Sequence, residues 1–277
     1  MLTDSHVHLN RSEFQGDRAE VLTRAGDAGI TRLLNVGYDL TSSRESLALA
    51  DSDPRIYATV GVHPHDAATI ADNEGRVTAA GQTVLSELAE LTNHGRVVAI
   101  GEIGLDFFRD LSPRPAQKTA LRLQLELAAR VRLPVVFHIR NAYAETLALV
   151  DEVGVPRHKG VLHAFQGDLA TLTWAVQNGF KLGIGGPVTY PKSHLSKLLS
   201  HCLPSDLLLE TDAPWLPPVP YRGKRNEPAW LHYTAEKVAE IYGMTLAELA
   251  QLTSQNFTEL FHCADSGPKL DTPDPNC

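Results

Sequence analysis

The chain has 277 residues and a hydrophobic fraction of 43%, which suits one large α/β domain with a sizeable core. Its formal net charge of -8 excludes the broad basic surface of a general nucleic-acid binder, so any phosphate recognition must be local. Three scattered cysteines without a CxxC pair exclude a disulfide framework and a zinc ribbon, and no apolar run reaches the roughly 18 residues of a membrane span.

The N-terminus has no basic stretch followed by an apolar one, so no signal peptide is expected and the cytoplasm is the expected compartment. Leu2 to Leu9 reads as a first strand. His6 and His8 lie one residue apart, so on a strand they share a face and can converge on one ion. The plainer reading of such a pair is a hydrogen-bonded core histidine. Arg32 to Gly37 and Ile56 to Val62 are the second and third strands. Pro64 then turns the chain outward. His63 and His65 face the pocket mouth, either touching a substrate phosphate or filling an ordinary loop role.

An amphipathic stretch from Thr83 to Asn93 precedes the fourth strand, Val97 to Ile103. Glu102 sits late in it. A carboxylate has two oxygens and can bridge two cations, which an imidazole cannot. Lys181, at the start of its strand, is at the wrong end to supply a carbamylated bridge. Asp106 reads first as a structural residue, with a supporting role at the site as the alternative. Ala116 to Val131 is the clearest helix, with Leu121, Leu125, Ala128 and Ala129 on one face.

Pro134 to Ile139 is the fifth strand and ends at His138, with Arg140 two residues on and aimed at the same pocket. Gly160 to Phe165, the sixth, carries His163. A helix over Asp168 to Asn178 follows, then a strand over Phe180 to Gly185 and an eighth over Leu207 to Thr211. Asp212 directly follows that strand, either as a metal ligand beside the attacking water or as a helix N-cap. Glu210 shares its face. The next loop carries Arg222, Lys224 and Arg225, either a solvated basic loop or a rim for an anionic substrate. Trp230 to His262 reads as wholly helical, covering the barrel wall. The proline-containing tail, 264–277, is expected to be poorly ordered.

Strand and helix in strict rotation predict parallel strands and closure into a (β/α)8 TIM-type barrel, one domain over 1–263. An open doubly wound sheet is the alternative, but no GxGxxG follows the first strand. Barrel enzymes carry their chemistry at the C-terminal ends of the strands. Almost every unusual polar residue here falls there. The sequence therefore predicts a dinuclear metal site made of His6, His8, Glu102, His138, His163 and Asp212, with Asp212 and Glu102 as the catalytic carboxylates. His63, His65, Arg140, Arg222 and Arg225 are the candidates for substrate phosphate. The mixed ligands admit zinc, manganese or magnesium.

At this point the motifs resemble a known family. Asp4-Ser5-His6-Val7-His8, Gly61-Val62-His63-Pro64-His65, Gly101-Glu102-Ile103-Gly104-Leu105-Asp106, His138-Ile139-Arg140, His163-Ala164-Phe165 and Glu210-Thr211-Asp212-Ala213-Pro214-Trp215 are similar to those of the TatD-type deoxyribonucleases. Arg222-Gly223-Lys224-Arg225-Asn226-Glu227-Pro228 completes the series. The resemblance implies a barrel with divalent metals that hydrolyses phosphodiesters in DNA, a deoxyribonuclease. A modest, acidic chain with a narrow pocket is expected to act on strand ends rather than to grip duplex DNA, and a monomer is expected. The resemblance assigns His6, His8 and Asp212 to the first ion, Glu102 to the bridge, and His138 and His163 to the second ion. The expected chemistry is attack by a hydroxide bridging two ions, with Asp212 taking the proton. Phe107 and Phe108 replace frequent tyrosines, and Ile139 and Gln166 replace frequent serines, leaving the ligands intact. The ligands alone also fit an amidohydrolase, a lactonase or an ester deacylase on the same barrel.

Overall fold

The structure is a computed structural model that describes residues 1–263, so the tail over 264–277 lies outside the described residues. Eight strands pair in chain order, and every pairing is parallel. They are β1 (Leu2–Val7), β2 (Ile30–Asn35), β3 (Ile56–Val60), β4 (Val97–Asp106), β5 (Val135–Arg140), β6 (Gly160–Leu162), β7 (Lys181–Ile184) and β8 (Leu207–Leu209). The helices are α1 (Arg18–Asp27), α2 (Leu40–Ser52), α3 (Ala79–Leu91), α4 (Arg114–Val131), α5 (Tyr143–Val153), α6 (Leu169–Gln177), the short α7 (Leu195–Leu198), α8 (Leu231–Tyr242) and α9 (Leu246–Phe261). The result is a nearly closed TIM-type barrel with helices between its strands. No described helix is long and apolar enough to cross a membrane.

Local chemistry sets the helix ends. Asp39 accepts the Ser42 N–H to start α2, and Asp168 accepts the Thr171 N–H to start α6. The stretch over 230–262, expected to be wholly helical, consists mainly of two helices. Gly243 takes a left-handed conformation (φ 63°) after α8, and a Thr245–Glu248 capping box starts α9.

Strand alternation divides the core in two. Leu33, Ile56, Val135, Phe137, Leu162, Leu182 and Leu207 point outward and pack with helix residues such as Leu121 and Leu125. Leu34, Tyr57, Val98, Val136, Val161 and Leu208 point inward and pack against Phe257 and Phe261 of α9. Thr3 on β1 donates to Ser254 of α9 at 2.9 Å, so this helix closes the N-terminal end of the barrel. Two residues beyond each inward apolar residue lies the next inward position. Beyond Val136, Val161 and Leu208 these positions are His138, His163 and Glu210.

The seam between β1 and β8 closes past the end of β8. The Asp212 N–H donates to the His6 carbonyl and the His8 N–H to the Ala213 carbonyl, both at 2.9 Å. The buried Asp4 carboxylate spans the same seam, accepting the Thr211 N–H at 2.9 Å and the Thr211 hydroxyl at 2.6 Å.

Candidate metal centre

β1 delivers the first pair of imidazoles. His6 is fully buried and His8 nearly so, and their Nε2 atoms stand 3.1 Å apart. The Nδ1 of His8 lies 3.2 Å from the Val36 carbonyl, which leaves its Nε2 facing the barrel axis. Asp212 follows β8, and its Oδ1 lies 3.8 Å from His6 Nε2 and 3.7 Å from His8 Nε2.

β4 brings Glu102 to the centre through a break in its alternation. Its register with β5 slips between Ile100 and Ile103, and the Gly101–Glu102 peptide is cis. Ile103 and Leu105 face the helices. Glu102, Gly104 and Asp106 face inward. Gly104 is opposite His138 in the ladder, with φ 151°. A Cβ there would sit 1.8 Å from the His138 carbonyl oxygen, so only glycine lets the two strands lie this close.

The two oxygens of Glu102 serve different groups. Its Oε2 is 3.6 Å from Nε2 of both His6 and His8. Its Oε1 is 2.9 Å from His138 Nδ1, 2.8 Å from His163 Nε2 and 3.7 Å from His63 Nε2. The carboxylate thus spans two sets of nitrogens.

Behind these groups stand more carboxylates. Asp106 Oδ2 lies 3.2 Å from His138 Nε2 and 2.8 Å from His65 Nε2, while its Oδ1 accepts the Phe108 and Arg109 N–H groups. The buried Glu210 has Oε1 at 3.4 Å from His163 Nδ1 and accepts the Ala164 N–H at 2.5 Å. Such partners fix which ring nitrogen is offered to the centre.

The electrostatics suit cations. Burial pushes His6 down to about 4 and His8 down to about 3, so both are neutral and offer lone pairs. Burial pushes Asp212 up to about 8, reinforced by the neighbouring Glu102 and Glu210 carboxylates. Burial alone would raise Glu102, but the His163 and His63 charges and the hydrogen bonds from His138 and His163 hold it well below the usual carboxylate range. Asp212 Oδ1 and His6 Nδ1 are buried with no hydrogen-bond partner. Two nitrogens bound at about 2.05 Å to one tetrahedral ion would lie about 3.3 Å apart, close to the spacing seen between His6 and His8. The donor set fits divalent metal.

All six side chains expected as ligands meet here. Three groups have ligand atoms within 4.8 Å of one another: His6 with His8 and Asp212, His6 with Glu102 and His163, and His63 with His65 and His138. The phosphate candidates scatter more widely. His63 lies inside the cluster. Arg140 is exposed, its guanidinium 3.9 Å from the centre of the Phe108 ring. Arg222 lies over Tyr190 and lines an open groove of about 460 Å³ with Lys192, His194 and Gln166. Arg225 is engaged elsewhere: it pairs with Asp17 at 2.8 and 2.7 Å and donates to the Glu13 carbonyl. Sequence reading gave no role to Arg11, Tyr38 or Trp215, which adjoin His8. The available signal was an aromatic residue three places past Asp212, on the loop that follows the last ligand.

The family model described as TatD related DNase matches residues 3–262. The uncharacterized metal-dependent hydrolase YabD of Bacillus subtilis is 37% identical over 262 residues, covering 94% of this chain and 99% of that protein. The 3'-5' ssDNA/RNA exonuclease TatD of Cronobacter sakazakii is 37% identical over 264 residues, covering 93% of this chain and 97% of that one. The crystal structure of YJJV, a TatD homologue from Escherichia coli, superposes with a TM-score of 0.86 at 31% identity, covering 95% of this chain and 98% of that one. The chain therefore belongs to the TatD-related deoxyribonuclease family and is a metal-dependent hydrolase.

Proposed function

We propose that the protein hydrolyses phosphodiester bonds in single-stranded DNA, working from strand ends, with two divalent ions. The observation that carries this reading is the division of Glu102, whose Oε2 faces His6 and His8 while Oε1 faces His138 and His163. His6, His8, Asp212 and Glu102 would hold the first ion, and Glu102, His138 and His163 the second. Four imidazoles with two carboxylates suit zinc or manganese better than magnesium, which favours oxygen ligands.

When bound, such ions lower the pKa of a water to about 7 and offset charge growing around phosphorus. The rest falls to the protein. Asp212, whose buried Oδ1 has no hydrogen-bond partner, holds the attacking water and accepts its proton. Asp106 and Glu210 keep the rings of His138 and His163 oriented. Arg140 and Arg222, on the rim, neutralise the substrate's phosphates. The charge of Arg225 is taken up by Asp17. The acidic chain and the few placed arginines favour a strand end over a wide grip on duplex. We assign the protein to the cytoplasm, in keeping with the buried free thiol of Cys202.

Time courses on one DNA strand, labelled at either end in turn, test the reading beside a panel of lactones and cyclic amides. Stepwise shortening from one end is expected, lost on chelation and restored by metal. Glu102→Ala and Asp212→Ala should each lose at least about a hundredfold in turnover. Turnover of lactones or amides without cleavage of DNA would overturn the nuclease reading, and random internal fragments would overturn its end-directed part.

A further inference from the structure

Trp215 is 40% exposed, yet its backbone is held on both sides. Its N–H donates to the Asp212 carbonyl at 2.9 Å, and its carbonyl accepts the Asn226 side-chain amide at 2.7 Å. Asn226 is fully buried, and the same amide donates to the Thr211 carbonyl at 2.8 Å. One side chain therefore ties the Trp215 backbone to the segment that carries Asp212. The indole meets the His8 ring edge-on, with centroids 5.0 Å apart.

Beside it lies Arg11, its guanidinium carbon 5.3 Å from the centroids of both the Trp215 and the Tyr38 rings. Arg11 also leans on Tyr38 and on Glu13, whose carboxylate stands 3.5 Å from its Nε. Isolated exposed aromatics are common on protein surfaces and need no function. An indole against a metal-site imidazole, on a backbone held at both ends and beside an arginine, is a different object. The exposed part of the indole offers ring surface to any base, and the guanidinium offers positive charge to a phosphate. Phe108 is also exposed, with Arg140 over one of its faces as Arg11 lies over Trp215, but it is the Trp215 ring that meets His8.

We propose that Trp215 stacks on the nucleobase of the nucleotide bound at the His6–His8 side of the centre, with Arg11 on that nucleotide's phosphate. The proposal rests on the nuclease reading above and deepens it by naming what recognises an unpaired base. A base inside a duplex is stacked and cannot reach this platform, so the subsite selects single strands whatever the base.

The test uses a single-stranded hexathymidylate and a set of analogues, each lacking one base (a tetrahydrofuran in place of one nucleoside). Cleavage of each bond is followed for the metal-loaded wild-type protein, Trp215→Ala and Trp215→Phe. Base stacking on an aromatic ring makes the wild type cut the full strand roughly tenfold to a hundredfold faster than the analogue lacking the base at one position beside the scissile bond. In Trp215→Ala that gap should close, and in Trp215→Phe part of it should remain. The rise in melting temperature on adding metal reads whether His8 still serves the centre. A Trp215→Ala protein that slows on every strand by one common factor, or that loses the metal-induced rise, would show a structural role and overturn the proposal. A wild type that cuts no strand but hydrolyses a lactone would remove the nuclease reading and this subsite with it.

Discussion

Asp4 lies fully buried, with its carboxylate turned across the barrel seam to Thr211, the residue before Asp212. Burial pushes this carboxyl up to about 7, with the Thr211 hydrogen bonds pulling the other way. Asp4→Ala would strand a buried N–H and a buried hydroxyl on Thr211. That should cost about 1–3 kcal/mol of stability, read by urea unfolding of the metal-loaded protein, and should lower turnover by loosening Asp212. Asp4→Asn keeps an acceptor and should lose much less. Equal stability of Asp4→Ala and the wild type would mean that the seam holds without this side chain. Such a role was not legible in the sequence, where Asp4 is one polar residue beside two histidines. The ligand candidates were legible because each is a polar residue set where an apolar strand ends, at a place the barrel reserves for chemistry. Arg11 and Trp215 sit on loops, where no periodicity marks which way a side chain points. Arg225 looked like a phosphate contact for the same reason: a sequence does not show that Asp17 has already paired with it.

β7 adds no ligand to the centre, and what it adds instead is room. Gly183 faces inward beside Glu210, and a Cβ there would fall 2.1 Å from Glu210 Oε2. Glu210 is fully buried, so its carboxylate has nowhere to retreat. Gly183→Ala should therefore push Glu210 away from His163 Nδ1 and free that ring to turn. Second-layer partners of this kind typically contribute about 10–100-fold in metal affinity or activity. Metal titration of Gly183→Ala should show a loss of that order, and unchanged affinity would mean that Glu210 does not orient His163. The existence and order of all eight strands were legible from apolar runs alternating with amphipathic ones. Their ends were not. β6 was expected to reach Phe165 and β8 Thr211, but they stop at Leu162 and Leu209. Beyond those points the backbone still bonds across, as from the Glu210 N–H to the Ile184 carbonyl, while Ala164 and Asp212 turn to positive φ. These bends aim the ligands, and apolar patterning carries no sign of them. β4 ran the other way, continuing to Asp106, because Gly104 keeps it against β5.

The barrel as a whole keeps stability and chemistry at opposite ends. Phe257 and Phe261 fill the N-terminal end with apolar surface, while the C-terminal mouth gathers buried imidazoles and carboxylates whose ligand atoms converge. An acidic protein that acts on a polyanion works against its own long-range field, so its grip must come from short-range contacts. On the reading proposed above, Arg11, Arg140 and Arg222 meet phosphates near the mouth. Three such contacts to a single strand predict that log(kcat/KM) falls against log[salt] with a slope near about -2. Repulsion by the remaining acidic surface weakens as salt rises, which makes the slope shallower still. Removing one contact by Arg222→Ala should flatten it further by about 0.7. The measurement is a set of initial rates on a labelled single strand between roughly 50 and 200 mM salt, at fixed metal. A slope of about -5 or steeper would mean that a wider surface grips the backbone, and the picture of an acidic barrel recognising only the nucleotides at its mouth would have to be given up.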